Sequence, residues 1–302
     1  MSGYWTGILS ILAVNVVFAY GVFLPVATGQ LNLGGAGFQA VGAYAAAYLS
    51  ATYAAPALVT IPVGMAAAGL VGFLIAWPIL RTRGVYLVLA TFAFAEVVVG
   101  VILNTPALGG PMGLSVPDFV DAKVPLAAAL VVTLAVFLLM TTRFGLAMRA
   151  VHDDETVSDL MGVSVRGIRV AAMAIGGALA GLSGALYALS FGFVDVHAFG
   201  SAASIYVLLF VLLGGTQTAW GPLVGAAFFT LLPELLRPVL LGLSGLVAGV
   251  LGTGARAPDD SWRFVILGLV TIAMMATRPE GLVTRTLVEQ FRLFRGRPRA
   301  AA

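Results

Sequence analysis

Apolar and polar positions come in blocks along this chain. Runs of about 20 predominantly apolar residues, the length a helix needs to cross a bilayer, alternate with short polar breaks. The runs predict helices at Tyr4–Ala27, Asn32–Tyr53, Ala57–Leu80, Val85–Leu103 and Val124–Thr142, then at Val170–Phe191, Ala203–Leu213, Pro222–Leu241 and Trp262–Thr277. Ala203–Leu213 is too short to span unless it continues irregularly through Gly214, Gly215 and Thr216. The pattern predicts an all-α polytopic membrane protein with about nine transmembrane helices, eight to ten being the range. Residues 1–302 read as a single transmembrane domain.

The one long polar segment between strongly apolar runs is 143–169. Arg143, Arg149, Arg166 and Arg169 flank Asp153, Asp154, Glu155 and Asp159. Edge arginines hold a loop on the cytoplasmic side, and central acids suit the positive start of a short helix. Asp153 or Asp154 can cap that helix and Gly162 can stop it, so the segment reads as a docking element for a soluble partner.

Composition agrees with the block pattern. The chain is 60% hydrophobic and 10% charged, with a mean hydropathy of +1.04, values that do not describe a soluble domain. The 37 glycines let helices approach closely in lipid. With no cysteine, disulfides, thiolate zinc sites and a cysteine nucleophile are excluded. The first apolar run is too long for a signal-peptide core and reads as a retained span.

Net charge is +3, but its distribution says more. If 143–169 lies inside, alternation puts the N-terminus outside and the C-terminus in the cytoplasm. Arg81, Arg83, Arg143, Arg149, Arg166, Arg169 and the six arginines of 278–302 then fall inside, against Lys123, Arg237, Arg256 and Arg263 outside. That asymmetry is the one the positive-inside rule expects. The basic tail, 278–302, carries Leu287, Phe291 and Phe294 at helical spacing, which suits anionic headgroups of the inner leaflet.

Two polar, glycine-rich interruptions share Leu-Gly-Gly: 28–43, with Gln30, Asn32, Gly34 and Gly35 at the start of the second helix, and 213–227, with Gly214, Gly215 and Gln217. Such segments in corresponding halves point to a transport path, or they are tight inner turns whose glycines allow close packing. Glu96 lies within a span, where a charge costs about 2.5 to 3.5 kcal/mol on insertion scales and needs a partner, a wet cavity or a proton. It reads either as a path or gating group or as a structural one, and Asn15 as an interhelical hydrogen bonder. Pro78 and Pro233 are expected to kink their helices, and 104–123 to be an irregular outer loop. Gly181–Gly184 and Gly242–Gly245 match the Gly-x-Ser-Gly of intramembrane serine proteases, but neither His152 nor His197 is placed to act as base, so helix packing explains the first better. The only lysine, Lys123, follows Ala122, so the chain has no P-loop, and any ATP used must bind another subunit.

Together, Leu31–Ala47, Arg81–Val98, Gly109–Leu114, Phe144–Val165, Ala180–Leu189, Leu212–Arg237 and Arg278–Leu282 resemble, in order and spacing, the permease subunits of branched-chain amino-acid ABC importers of the LivM type. The resemblance covers most of the chain. It implies a second homologous permease, two cytoplasmic ATPases, an extracytoplasmic solute-binding protein and a place in the bacterial inner membrane. It implies no enzyme activity, cofactor, metal or nucleic acid on this chain. It also implies that 143–169 is the loop that couples to the ATPases, through Asp153, Asp154, Glu155, Val157, Ser158, Asp159 and Gly162. Here Val157, Ser158 and Asp159 stand where many importers have Glu-Ala-Ala. The expected substrates are branched-chain or other neutral amino acids. Urea or short-chain amide permeases of the same architecture are the alternative, and an ATP-independent transporter or channel is the second.

Overall fold

The computed structural model describes residues 2–251, 262–278 and 281–283, without the side chains of Ser2 and 239–251. Most of the tail, with Leu287, Phe291 and Phe294, and the Arg256 loop lie outside the described residues, as does the Ser244 side chain. Within them each predicted apolar run holds a helix: α1 (Ser2–Val26), α2 (Gly35–Tyr53), α3 (Ala57–Ile79), α4 (Val85–Leu103), α5 (Lys123–Thr141), α8 (Val165–Phe191), α9 (Ser201–Gly214), α10 (Trp220–Leu251) and α11 (Trp262–Thr277). Two further helices, α6 (Arg143–Asp153) and α7 (Glu155–Leu160), form the polar segment. Of these, α1, α3, α4, α5 and α8 are long and apolar enough to cross a membrane.

The helices sort by burial. The apolar stretches of α1 and α8 are each 72% buried, against 22 to 28% for α3, α4 and α5, so the first two are central and the others present apolar faces outward. The centre is built on small residues. Thr60, Gly64, Ala68, Gly72 and Ala76 make a buried stripe at four-residue spacing along α3, which packs on Gly177 and Gly181 of α8. A Cβ at Gly42 of α2 would collide with the backbone of Gly181, and one at Gly184 with the carbonyl of Gln39. The first Gly-x-Ser-Gly sequence is therefore a helix-packing face, and Ser183 accepts a hydrogen bond from Gln39 Nε2 at 2.9 Å.

Several boundaries differ from those expected. α2 begins at Gly35 rather than at residue 32, because 30–34 runs without helical structure. α8 starts at Val165, five residues early, capped by Ser164 Oγ, which accepts from Gly167 N. α10 is 32 residues long, with Pro233 and Pro238 inside it. The 104–123 segment, expected to be irregular, carries a strand: β1 (Leu114–Ser115) pairs antiparallel with β2 (Phe193–Val194). Val116, Val120, Val194, Val196 and Phe199 form a buried cluster beneath it, and Asp118 Oδ2 accepts from Ala57 N at 2.8 Å, capping α3. Turn residues alone did not reveal these tertiary pairings.

Candidate functional site

Two places gather the polar chemistry of the chain: a break inside the bundle and a clamp at the end that carries α6 and α7. The break starts where α1 ends. From Gln30 to Gly34 the chain is non-helical, and α2 begins against α4. Non-helical backbone among apolar helices survives only if its polar groups are met inside the protein, and here side chains meet them. Leu33 N donates to Thr91 Oγ1 at 3.0 Å, Gly34 N to Asn32 Oδ1 at 2.7 Å and Ala36 N to Ser204 Oγ at 2.8 Å. Asn32 also donates to Met173 Sδ at 3.3 Å. Gln30 is 1% exposed and donates to Thr28 Oγ1, while its Oε1 has no partner among the described residues.

The start of α9 comes to the same level. Glu96 Oε1 accepts from Ser201 N, the first residue of α9, at 3.2 Å. Glu96 lies about 16 Å along α4, so α9 begins deep within the bundle, as α2 does. A carboxylate at a helix start satisfies a free N–H and complements the positive end of the dipole. The geometry therefore gives Glu96 a capping contact, while its side chain remains exposed. Beside these helix starts lies a cleft of about 220 Å³ between α1, α2, α8 and α9. Its polar lining is Asn15, Gln39, Tyr187 and Tyr206, among aromatic rings that include Phe18 and Phe199. Sequence reasoning passed over Gln39 and the tyrosines because each falls in an ordinary apolar run. Asn15 makes the expected interhelical bond, from Nδ2 to Thr230 Oγ1 at 3.0 Å.

Gly214, Gly215 and Gln217 do not join this group. They sit at the opposite end of α9, about 20 Å from Ser201. There Leu282 N donates to Leu213 O at 2.8 Å and Val283 N to Gly214 O at 3.0 Å, and Thr218 Oγ1 donates to Val283 O. The close packing of Gly214 on Gly221 makes this a tight turn. Gln217 lines a cavity of about 450 Å³ with Met274 and Arg278. The two Leu-Gly-Gly segments are thus unlike: one is a non-helical entry to α2, the other a turn that docks 281–283.

At the clamp, Asp154 Oδ1 accepts from Thr156 N at 2.8 Å and Val157 N at 3.0 Å, capping α7. Its other end closes as Val163 N donates to Ser158 O and Gly162 N to Asp159 O, with Gly162 at φ +81°. This is the paired closure that left-handed glycine provides. Glu155 holds α7 to its surroundings through Arg169 Nη2 at 3.0 Å and Arg83 Nη2 at 3.6 Å. Ser158 is buried, whereas Val157, Leu160 and Met161 are 50, 81 and 79% exposed, an apolar face on a polar element. Asp153 ends α6, and Asp159 lines the cleft beside Glu155. Sequence reasoning anticipated the cap and the stop but not α6, nor the partners of Glu155, which come from distant segments. It also passed over Glu234 of α10, whose carboxylate contacts Tyr4 Oη and pairs with Arg263 Nη1 at 3.2 Å. A carboxylate in one apolar run and an arginine opening the next were the available signal.

A predominantly helical bundle in which five helices are long and apolar enough to cross a membrane is the architecture of a multi-pass membrane protein. The chain belongs to the family described as branched-chain amino acid transport system / permease component, which it matches over residues 4–275. It is 29% identical over 316 residues to the high-affinity branched-chain amino acid transport system permease protein LivM of Escherichia coli K12, covering 92% of this chain and 70% of that one. The LivM protein of Salmonella typhimurium LT2 is 30% identical over 295 residues, 86% of this chain and 65% of its own. A probable branched-chain amino acid transport permease protein, LivH of Methanocaldococcus jannaschii, is 25% identical over 298 residues, 92% of this chain and 89% of its own. No solved structure matches the chain.

Proposed function

We propose that this permease carries branched-chain amino acids inward through an ABC importer of the bacterial inner membrane. It works with a second homologous permease, two cytoplasmic ATPases and an extracytoplasmic binding protein. About nine spans place the N-terminus outside and the 143–169 loop and C-terminus in the cytoplasm, the orientation favoured by the arginine distribution. ATP is bound and hydrolysed on the partner chains. The observation that carries the reading is the clamped α7 with its exposed Val157, Leu160 and Met161, in a chain of this family.

In this scheme α7 docks on an ATPase through residues 153–162, with Asp153, Asp154, Glu155, Val157, Ser158, Asp159 and Gly162 shaping or making the contact. Glu155 passes the movement to α8 through Arg169. The substrate path runs past the deep starts of α2 and α9, along Gln30, Asn32, Gly34, Gly35 and Glu96 and the adjoining cleft. Gly214, Gly215 and Gln217 lie nearer its inner end. Uptake of leucine, isoleucine, valine and urea into proteoliposomes of the assembled complex, with and without ATP, tests the scheme. ATP-dependent uptake of the three amino acids is expected. Uptake by this chain alone would overturn the ABC assignment, and urea uptake without leucine uptake would overturn the substrate.

A further inference from the structure

At the end of the bundle that carries α7, a polar cleft of about 430 Å³ adjoins an apolar groove of about 540 Å³, and Arg166 lines both. In the cleft, Arg83, Arg166 and Arg169 face two carboxylates, Glu155 and Asp159, leaving an excess of positive charge. Glu155 pairs with Arg169 and Arg83, and the Arg83 side chain is 84% exposed, so that second, longer pair is solvent-open and weak. Among the described residues no carboxylate pairs with Arg166. Its guanidinium lies 4.6 Å from the centre of the Trp77 ring and donates to Trp77 O at 3.4 Å. Stacking fixes the planar group in place while leaving donors for an anion.

The groove runs from Arg166 between α3 and α8, walled by Phe73, Trp77, Val170, Ala174 and Ile175. α3 and α8 are both bilayer-length helices, and Trp77 and Arg166 lie near their ends on the same side. That is where headgroups meet hydrocarbon and where tryptophan and arginine serve as interfacial anchors. A slot of hydrocarbon character headed by an unpaired guanidinium has the amphipathic form of a phospholipid, and the charge selects an anionic one.

We propose that Arg166 and Trp77 head a site for one anionic phospholipid. Its phosphate lies against Arg166 within reach of Arg83, and an acyl chain fills the groove between α3 and α8. Occupation draws Arg83 toward the phosphate, so the site and the Glu155 clamp on α7 share a cation. The proposal is independent of the transported solute.

The test is native mass spectrometry of the full-length chain released from nanodiscs of phosphatidylcholine containing phosphatidylglycerol, comparing wild type, Arg166→Gln and the exposed control Arg143→Gln. Wild type and Arg143→Gln are expected to retain phosphatidylglycerol in preference to phosphatidylcholine, and Arg166→Gln to retain about fivefold less. A photo-reactive residue at Ile175 in the otherwise wild-type assembly gives an arm that does not depend on folding of the arginine variant, and it is expected to label lipid. Equal retention by Arg166→Gln and wild type, no preference for phosphatidylglycerol, or labelling of a protein chain from position 175 would each overturn the proposal.

Discussion

Replacing Asp154 by alanine should loosen α7 by an amount the structure lets one work out. The helix has six residues, well short of the roughly 12 to 15 below which isolated helices are marginal in water. It is therefore held by its ends and by Glu155, not by propagation. Alanine removes both hydrogen bonds that Asp154 Oδ1 accepts, and loss of such a cap costs about 1 kcal/mol. The Glu155 pairs cannot absorb this, since the Glu155 side chain is 36% exposed and pairs that open to solvent contribute about 0.2 to 1 kcal/mol each. Local opening of α7 should rise about fivefold, read by hydrogen exchange at the amides of Ser158 and Met161, whose backbone acceptors the substitution leaves in place. Asp154→Asn keeps an acceptor oxygen and should stay within twofold of wild type. The reasoning fails if Asp154→Ala also stays within twofold, or if the asparagine variant opens as far as the alanine one.

Other substitutions separate backbone, packing and charge. Nothing lies within 4 Å of a Cβ at Gly162, so only its φ of +81° restricts substitution. Gly162→Asn should retain partner ATPase in pull-downs, whereas Gly162→Val, paying at least about 1 to 2 kcal/mol for a left-handed backbone, should lose it. Gly42→Val would drive a side chain into the α8 backbone at Gly181; a cost at or above about 3 kcal/mol should abolish the monodisperse peak in size-exclusion chromatography. Glu96→Gln can still accept from Ser201 N and should leave transport rate and thermal stability close to wild type. Glu96→Ala loses the cap and should lower stability by about 1 kcal/mol, measured as an unfolding midpoint. A large fall in uptake with unchanged stability in Glu96→Gln would show that the path needs the charge of Glu96 and not only an acceptor there.

What was legible in the chain followed physical range. Apolar runs of bilayer length stood out because a helix satisfies its own backbone within the segment, and nine of them hold helices. The cap at Asp154 and the stop at Gly162 were legible because their bonds join residues two to five apart. What escaped depends on distant partners. Residues 28–43 stood out as a polar, glycine-rich interruption, but the second helix was expected from Asn32; Thr91 and Ser204, some 60 and 170 positions away, supply the acceptors for Leu33 N and Ala36 N that let the chain stay non-helical to Gly34. The role of Gln39 appears only when Ser183 and the cleft are beside it.

The arrangement also decides which parts can move together. A load on α7 meets Arg169 through Glu155 at 3.0 Å, and Arg169 lies in the first turn and a half of α8. α8 cannot yield alone, because Gly181 and Gly184 put its backbone against α2, and Gly177 and Gly181 put it against α3. Tightly packed helix faces slide or rock as units far more readily than they compress. Gly21 and Gly176 put α1 against α8 in the same way, so a displacement at α7 enters the bundle as a movement of α1, α2, α3 and α8 together, carrying the deep start of α2 with it. α9 lies outside that tight set, joined to the start of α2 by the Ser204 bond and held at its own start by Glu96 of α4. The Ser204 bond to Ala36 N is thus where relative motion would first be felt. Ser204→Ala leaves the buried Ala36 N–H without its acceptor, at a cost of about 1 to 3 kcal/mol, and should weaken coupling between substrate and ATPase turnover while leaving the α2–α3–α8 packing in place. A variant that unfolds early yet couples normally would show that the bond is part of the static core instead.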